Sequence, residues 1–272
     1  MSIIVSVKIN DGVVIAADSA TTFFLDGQHP AQIYQHSNKL VNLVKGLPLG
    51  VMTCGDGGIG NASVATLLKD LRRRLAGQDR DRPDWKLDGD NYTMKAVAMR
   101  VHEFFSEKGQ EASLNTGFLM LRICGYSSGH MLPEVWEVTF CNGWLAPSCV
   151  QPEDNFGPLW NGENEALNRL IIGIGTLPEE GANALGMTYE DLQGAANKLC
   201  QHTYRTLILP AAPIQDAIDL ARFMVETTKG FMRFSIGFQK TVGGQTEIAA
   251  ITKHEGFRWV ERKHFYPPEI NG

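Results

Sequence analysis

Residues 54–60, Cys54-Gly-Asp-Gly-Gly-Ile-Gly60, put Gly55, Gly57 and Gly60 in the G-x-G-x-x-G spacing of a dinucleotide-binding turn. The apolar run Leu49-Gly-Val-Met-Thr53 precedes them. After them comes Asn61-Ala-Ser-Val-Ala-Thr-Leu-Leu-Lys-Asp-Leu-Arg-Arg-Arg-Leu75, with Val64, Leu67, Leu68, Leu71 and Leu75 at helical spacing and Asn61 or Ser63 as its cap. Strand, glycine turn and helix suit a phosphate cradle, so the flanking chain decides between a parallel and an antiparallel fold. A dinucleotide-binding unit needs a parallel strand after the helix, ending in an acid. Residues 76–83, Ala-Gly-Gln-Asp-Arg-Asp-Arg-Pro, are far too polar for one, and Asp79 and Asp81 sit on no strand. A P-loop needs Gly-Lys-Ser/Thr, whereas Gly60 is followed by Asn61-Ala62. The glycines therefore read as a strand-to-helix turn.

Working outward, β-rich runs at Ser2–Ile9 and Val13–Asp18 flank Asn10-Asp11-Gly12, a hairpin signal. After a polar loop, Lys39–Val44 and Gly50–Cys54 flank Lys45-Gly-Leu-Pro48. Links this short cannot carry a parallel crossover, so these strands are antiparallel. Downstream, a polar stretch at Gly77–Asp90 leads to an amphipathic helix around Thr93–Glu107, with Val97, Val101, Phe104 and Phe105 on one face. Strands follow at Gly117–Tyr126 and Val135–Cys141, then a Pro-, Gly- and Trp-rich loop from Asn142 to Gly162, read as a lid or a contact surface. A short helix near Glu163–Leu170, helices near Thr188–Thr206 and Ile214–Phe231, and strands at Thr246–Thr252 and Phe257–Glu261 complete the chain. This order, without βαβ alternation, predicts an α+β layered sandwich of antiparallel sheets covered by helices. No repeat or linker divides residues 1–272, so a single domain is expected.

Composition narrows the function. The chain is 43% apolar and 20% charged, ordinary for a globular protein. A net charge of −5 without a basic stripe argues against nucleic acid, and Arg72-Arg73-Arg74 suits a helix C-terminus. No apolar stretch approaches the roughly 18 residues that span a bilayer, and the N-terminus lacks a signal peptide's basic region and cleavage site. A cytoplasmic protein with no membrane partner is expected. Five scattered cysteines (54, 124, 141, 149 and 200) without a C-x-x-C pair read as reduced thiols. The seven histidines show no ligand spacing, so neither metal nor other cofactor is expected.

Several stretches together resemble a known family: SIIVSVKINDGVVIAADS (2–19), NKLVNL (38–43), GVMTCGDGG (50–58) and PIQDAIDLARFMVE (213–226) with VGGQTEIAAITKHEG (242–256). In order and spacing they are similar to proteasome β-subunits and their bacterial relatives, which are N-terminal nucleophile hydrolases. The resemblance is good in the first 75 residues and near the C-terminus, and poor from about Gly77 to Ala212. It implies a four-layer αββα arrangement, with Ser2 as nucleophile, Asp18 and Lys39 as its supporting pair and Gly55 at the oxyanion position.

The chemistry requires such residues. A serine hydroxyl is a weak nucleophile until a base takes its proton. Once Met1 is removed, the Ser2 α-amine, with a reference pKa of roughly 7.7–8.0, can be that base. The Lys39 ammonium disfavours protonation of the amine, and Asp18 holds Lys39 charged and oriented. At Gly55 a backbone N–H meets the developing oxyanion, and the missing Cβ lets the substrate carbonyl approach. There are departures from the family. Serine replaces its threonine, its Gly-Ser-Gly is best matched by Gly173-Ile174-Gly175, and its second aspartate falls near Gln239. Ser235 and Thr241 are candidate substitutes. The expected function is a peptidase or amidohydrolase working through an acyl-enzyme on Ser2. The resemblance also implies a homo-oligomeric ring and a peptide or unfolded-protein substrate, and it leaves open whether an ATPase partner feeds the ring. The alternative is a catalytically inactive, ring-forming structural or binding subunit.

Overall fold

The computed structural model describes residues 2–24, 30–114, 117–236 and 240–263. The first hairpin joins β1 (Ile3–Ile9) to β2 (Gly12–Ala17), with Ile9 opposite Gly12. The Asn10-Asp11-Gly12 signal finds this turn for an unexpected reason. A Cβ on Gly12 would lie 2.6 Å from the Ile251 carbonyl oxygen, so close packing against a neighbouring strand, not a left-handed turn, requires the glycine.

The polar loop after Asp18 contains a further hairpin, β3 (Thr21–Phe24) and β4 (Pro30–Tyr34). Next come β5 (Leu40–Asn42), β6 (Leu49–Gly55) and a minimal hairpin of β7 (Gly58–Ile59) and β8 (Ala62–Ser63). Helix α1 (Val64–Leu75) starts at Ser63, whose Oγ accepts from the Thr66 N–H at 3.2 Å, and α2 (Met94–Glu111) starts at Thr93, whose Oγ1 accepts from Ala96 at 3.1 Å. Strands β9 (Phe118–Gly125) and β10 (Glu134–Cys141) follow.

The 142–162 stretch is not a loop. It supplies β11 (Ser148–Gln151) and β12 (Gly157–Gly162), and β12 pairs with β1 along its length, from Ile3 opposite Gly162 to Lys8 opposite Gly157. Its Pro and Gly residues hid the strands from a period-2 reading. Helix α3 (Glu165–Leu167), a π-helical turn at Asn168–Ile172, α4 (Glu179–Ala184), α5 (Tyr189–Thr203) and α6 (Ile214–Phe234) lead to β13 (Glu247–Thr252) and β14 (Gly256–Glu261).

The strands form two five-stranded sheets, β12-β1-β2-β13-β14 and β11-β10-β9-β6-β5, and every pairing within them is antiparallel. The fold is thus α+β with antiparallel sheets. Because β6 runs antiparallel to both β5 and β9, the glycine motif cannot open a dinucleotide-binding unit. Three apolar clusters hold the structure. Ile3, Val5, Val7 and Ile9 pack with Ala217, Ala221, Met224 and Val225 of α6. Ile4, Ile15, Met52, Met120 and Ile251 join the two sheets. Val51, Leu121 and Ile123 pack with Leu68, Leu71, Val97 and Phe105 of α1 and α2. Strands β1 and β2 are buried on both faces, which is why their sequence is nearly continuously apolar. The polar 77–90 stretch is anchored by Trp85, which is buried under the Arg74 guanidinium at 4.9 Å.

Candidate active site

Where β2 ends, Asp18 is fully buried, and its carboxylate accepts four hydrogen bonds. Its Oδ1 takes the Ile3 N–H at 3.0 Å and Lys39 Nζ at 2.6 Å. Its Oδ2 takes the N–H groups of Ala20 and Gly243, both at 3.0 Å. A carboxylate out of water is tolerable only with this degree of satisfaction. The Gly243 contact binds the Gly-Gly turn before β13 to the first hairpin, joining chain segments more than two hundred residues apart.

Ser2 sits immediately before β1, 5% exposed. Its carbonyl accepts from the Glu163 N–H at 2.7 Å, while the next residue's N–H is held by Asp18. Gly162 lies against that carbonyl so closely that a Cβ would be 1.8 Å from the Ser2 oxygen, and its φ is +102°. Only glycine fits there. Ser2, Lys39 and Gly55 line one cleft of about 1100 Å³, together with Thr53, Cys54, Asn161 and Asn164. The N-terminus of α1 opens onto the same cleft through Ser63, Val64 and Ala65. Asp18 lies beneath the wall and reaches the cleft only through Lys39. Burial pushes the Cys54 thiol above its usual range, with the Lys39 charge opposing. The same effect raises the Glu163 carboxyl.

Gly55 is at the cleft, but its side-chain direction is already filled. A Cβ would meet the Phe118 carbonyl oxygen at 2.2 Å, and φ is +104°. The glycine is demanded by the neighbouring strand, not by room for a substrate carbonyl as the sequence suggested. Gly173-Ile174-Gly175 does not line the cleft; Gly173 ends the π-helical turn with φ +91°. The turn placed on Ser2 is instead Gly162-Glu163-Asn164. Gln239 and Met1 lie outside the described residues. Ser235 caps α6 by donating to the Phe231 carbonyl at 2.7 Å, and Thr241 is buried.

A second buried ion pair adjoins the first. Lys263 Nζ donates to Glu247 Oε2 at 3.2 Å, to Ser19 Oγ at 3.0 Å and to the Ser37 carbonyl. Burial lowers the Lys263 pKa and raises that of Glu247. The sequence carried one signal for this pair, a lone acid opening the apolar strand Glu247–Thr252. Asn161 gave no signal, since it falls in the stretch read as a loop, and Asn164 falls in the short helix expected near Glu163–Leu170. Among the described residues no group of three or more His, Cys, Asp or Glu is placed to hold a metal ion, and no helix is long and apolar enough to cross a membrane.

The two antiparallel sheets and their covering helices make a fold that solved structures share. They include Anbu, or ancestral beta-subunit, proteins. Anbu from Yersinia bercovieri matches at 13% identity and TM-score 0.55, covering 97% of this chain and 89% of its own. The Anbu complex of Pseudomonas aeruginosa, solved as a helical assembly, matches at 15% and 0.54, covering 97% and 88%. An Anbu mutant from Hyphomicrobium sp. strain MC1 matches at 14% and 0.52, covering 97% and 86%. No family model matches the chain, and no curated protein does. These results correct the family assignment suggested by the sequence. The neighbours are Anbu proteins, not the bacterial proteasome homologues that were expected, and identity this low establishes fold alone.

Proposed function

We propose that the chain is an amide- or peptide-bond hydrolase whose nucleophile is Ser2 after removal of Met1. The carrying observation is the buried Asp18–Lys39 pair, hydrogen-bonded to the backbone next to Ser2 and presented at the wall of the Ser2 cleft. In this reading the Ser2 α-amine takes the proton from Oγ as Oγ bonds to the substrate carbonyl carbon. The Lys39 ammonium disfavours prior protonation of that amine. The Gly55 N–H faces the oxyanion of the tetrahedral intermediate. Collapse breaks the C–N bond, and the α-ammonium returns its proton to the departing amine. Water, deprotonated by the same α-amine, then adds to the ester carbon. The acid leaves, and Oγ recovers the proton.

The same reading takes residues 1–272 as one domain with its layers stacked αββα. It places the protein in the cytoplasm, acting on peptide or unfolded protein as a homo-oligomer; the helical assembly of Pseudomonas Anbu supports self-association. A ring remains part of the proposal. Intact-mass measurement of the purified protein, with and without a hydroxyl-reactive electrophile, tests it. The expected result is loss of Met1 and one adduct on Ser2. Retention of Met1 with Ser2 never labelled overturns it in favour of a non-catalytic subunit.

A further inference from the structure

We infer that Asn161 is a substrate-binding residue of this cleft, donating from its side-chain amide to a main-chain carbonyl of a peptide, with Arg122 as its positioning residue. The inference rests on the Ser2 reading for the identity of the site, and it adds how the site grips its ligand. Asn161 is directly opposite Ile4 across the β1–β12 ladder, so it shares a sheet face with Ile4, Ser6 and Ser2. That diagonal relation puts its Cβ within about 7–8 Å of that of Ser2. It lines the cleft beside Ser2 and Gly162.

The orientation of its amide follows from a buried arginine. Arg122, a charged residue inside the apolar strand β9, is 1% exposed. Its Nε and Nη2 bind Glu137 Oε1 at 2.9 and 2.6 Å, and its Nη1 reaches the Leu159 carbonyl at 3.3 Å and Ser6 Oγ at 3.4 Å. Nη2 also donates to Asn161 Oδ1. A guanidinium has five donors and no acceptor, so the amide must turn its oxygen toward Arg122 and its NH2 away from it. With the oxygen occupied inside the sheet layer, what Asn161 offers the cleft is a fixed pair of N–H donors. Donors aimed into a half-buried cleft select an acceptor, and a peptide main chain supplies carbonyls at regular intervals.

Asn161→Asp separates recognition from architecture. The aspartate keeps an oxygen on Arg122 but replaces the N–H donors with an acceptor that repels a carbonyl. In a Ser2→Ala background, which stops turnover, calorimetric titration with N-acetylated tripeptide amides ending in Ala, Leu or Phe measures binding directly. The expected result is affinity at least about tenfold weaker in Asn161→Asp, with an undiminished unfolding midpoint. A cycle with Arg122→Lys tests positioning: it weakens peptide binding when Asn161 is present and adds nothing in an Asn161→Ala background. Equal affinity with and without Asn161→Asp, or no binding of these peptides at all, overturns the inference. Labelled Ser2 with Asn161→Asp indifferent would sink this inference alone. Unlabelled Ser2 with Asn161-dependent binding would sink the hydrolase reading and support the binding site.

Discussion

The two ends of β1 each bury a lysine, and they treat it in opposite ways. At the Ser2 end, Lys39 meets a carboxylate that also receives three backbone N–H bonds. At the far end, Lys8 is fully buried and meets the Pro152 carbonyl and the face of Phe156, whose ring centroid is 5.0 Å away. Glu134, Glu153 and Asp154 act on it only through their field, and burial lowers its pKa from 10.5 to about 8. The contrast teaches where this fold tolerates charge. At the Ser2 end the buried lysine is met by a saturated carboxylate, and such saturation needs several chain segments converging, as they do around Asp18.

The largest effect is expected from making the first end resemble the second. All four contacts to Asp18 are donated to it, so Asp18→Asn turns an NH2 against a donor and leaves Lys39 buried without a counter-charge. A loss of about 3–5 kcal/mol in urea unfolding is expected, with Ser2 labelling abolished. Unaltered stability would mean that the pair is incidental to the fold.

Removing the poorly matched charge has the opposite sign. Lys8→Met is expected to raise stability at pH 7 by about 1–3 kcal/mol, because an apolar side chain replaces a poorly compensated ammonium. The folded pKa of Lys8 lies below its unfolded value, so the unfolded chain binds more protons between pH 8 and 10.5 and stability rises with pH across that window. Urea titrations at pH 7 to 10 are expected to show that rise in the parent protein and its reduction in Lys8→Met. The smallest effect sets the scale. Ser63→Ala removes the α1 cap without touching either lysine and is expected to cost about 1 kcal/mol, with Ser2 reactivity unchanged in thermal and mass measurements. A loss of labelling there would show that the start of α1 shapes the cleft.

The site was legible to different depths. The structure brings Ser2, Lys39 and Gly55 to one cleft with Asp18 behind Lys39, positions that the sequence offered only through the family resemblance of residues 2–58. The partners from distant segments were not legible. Gly162, Asn161 and Glu163 reach the site only because the stretch read as a loop from 142 to 162 pairs with β1. Arg122 looks like an anomaly in an apolar strand until Glu137 and Asn161 are beside it.

By itself the sequence determined the local structure: the hairpin around Asn10-Asp11, the capped helix from Ser63, and the antiparallel character forced by short links. Those features depend on neighbours within a few residues, where propensity and turn chemistry act. Only the tertiary structure decided why Gly55 and Gly162 must be glycine, which turn lies on Ser2, and how each buried charge is balanced. These are steric and electrostatic facts set by atoms tens to hundreds of residues away, and no local pattern encodes such a distance.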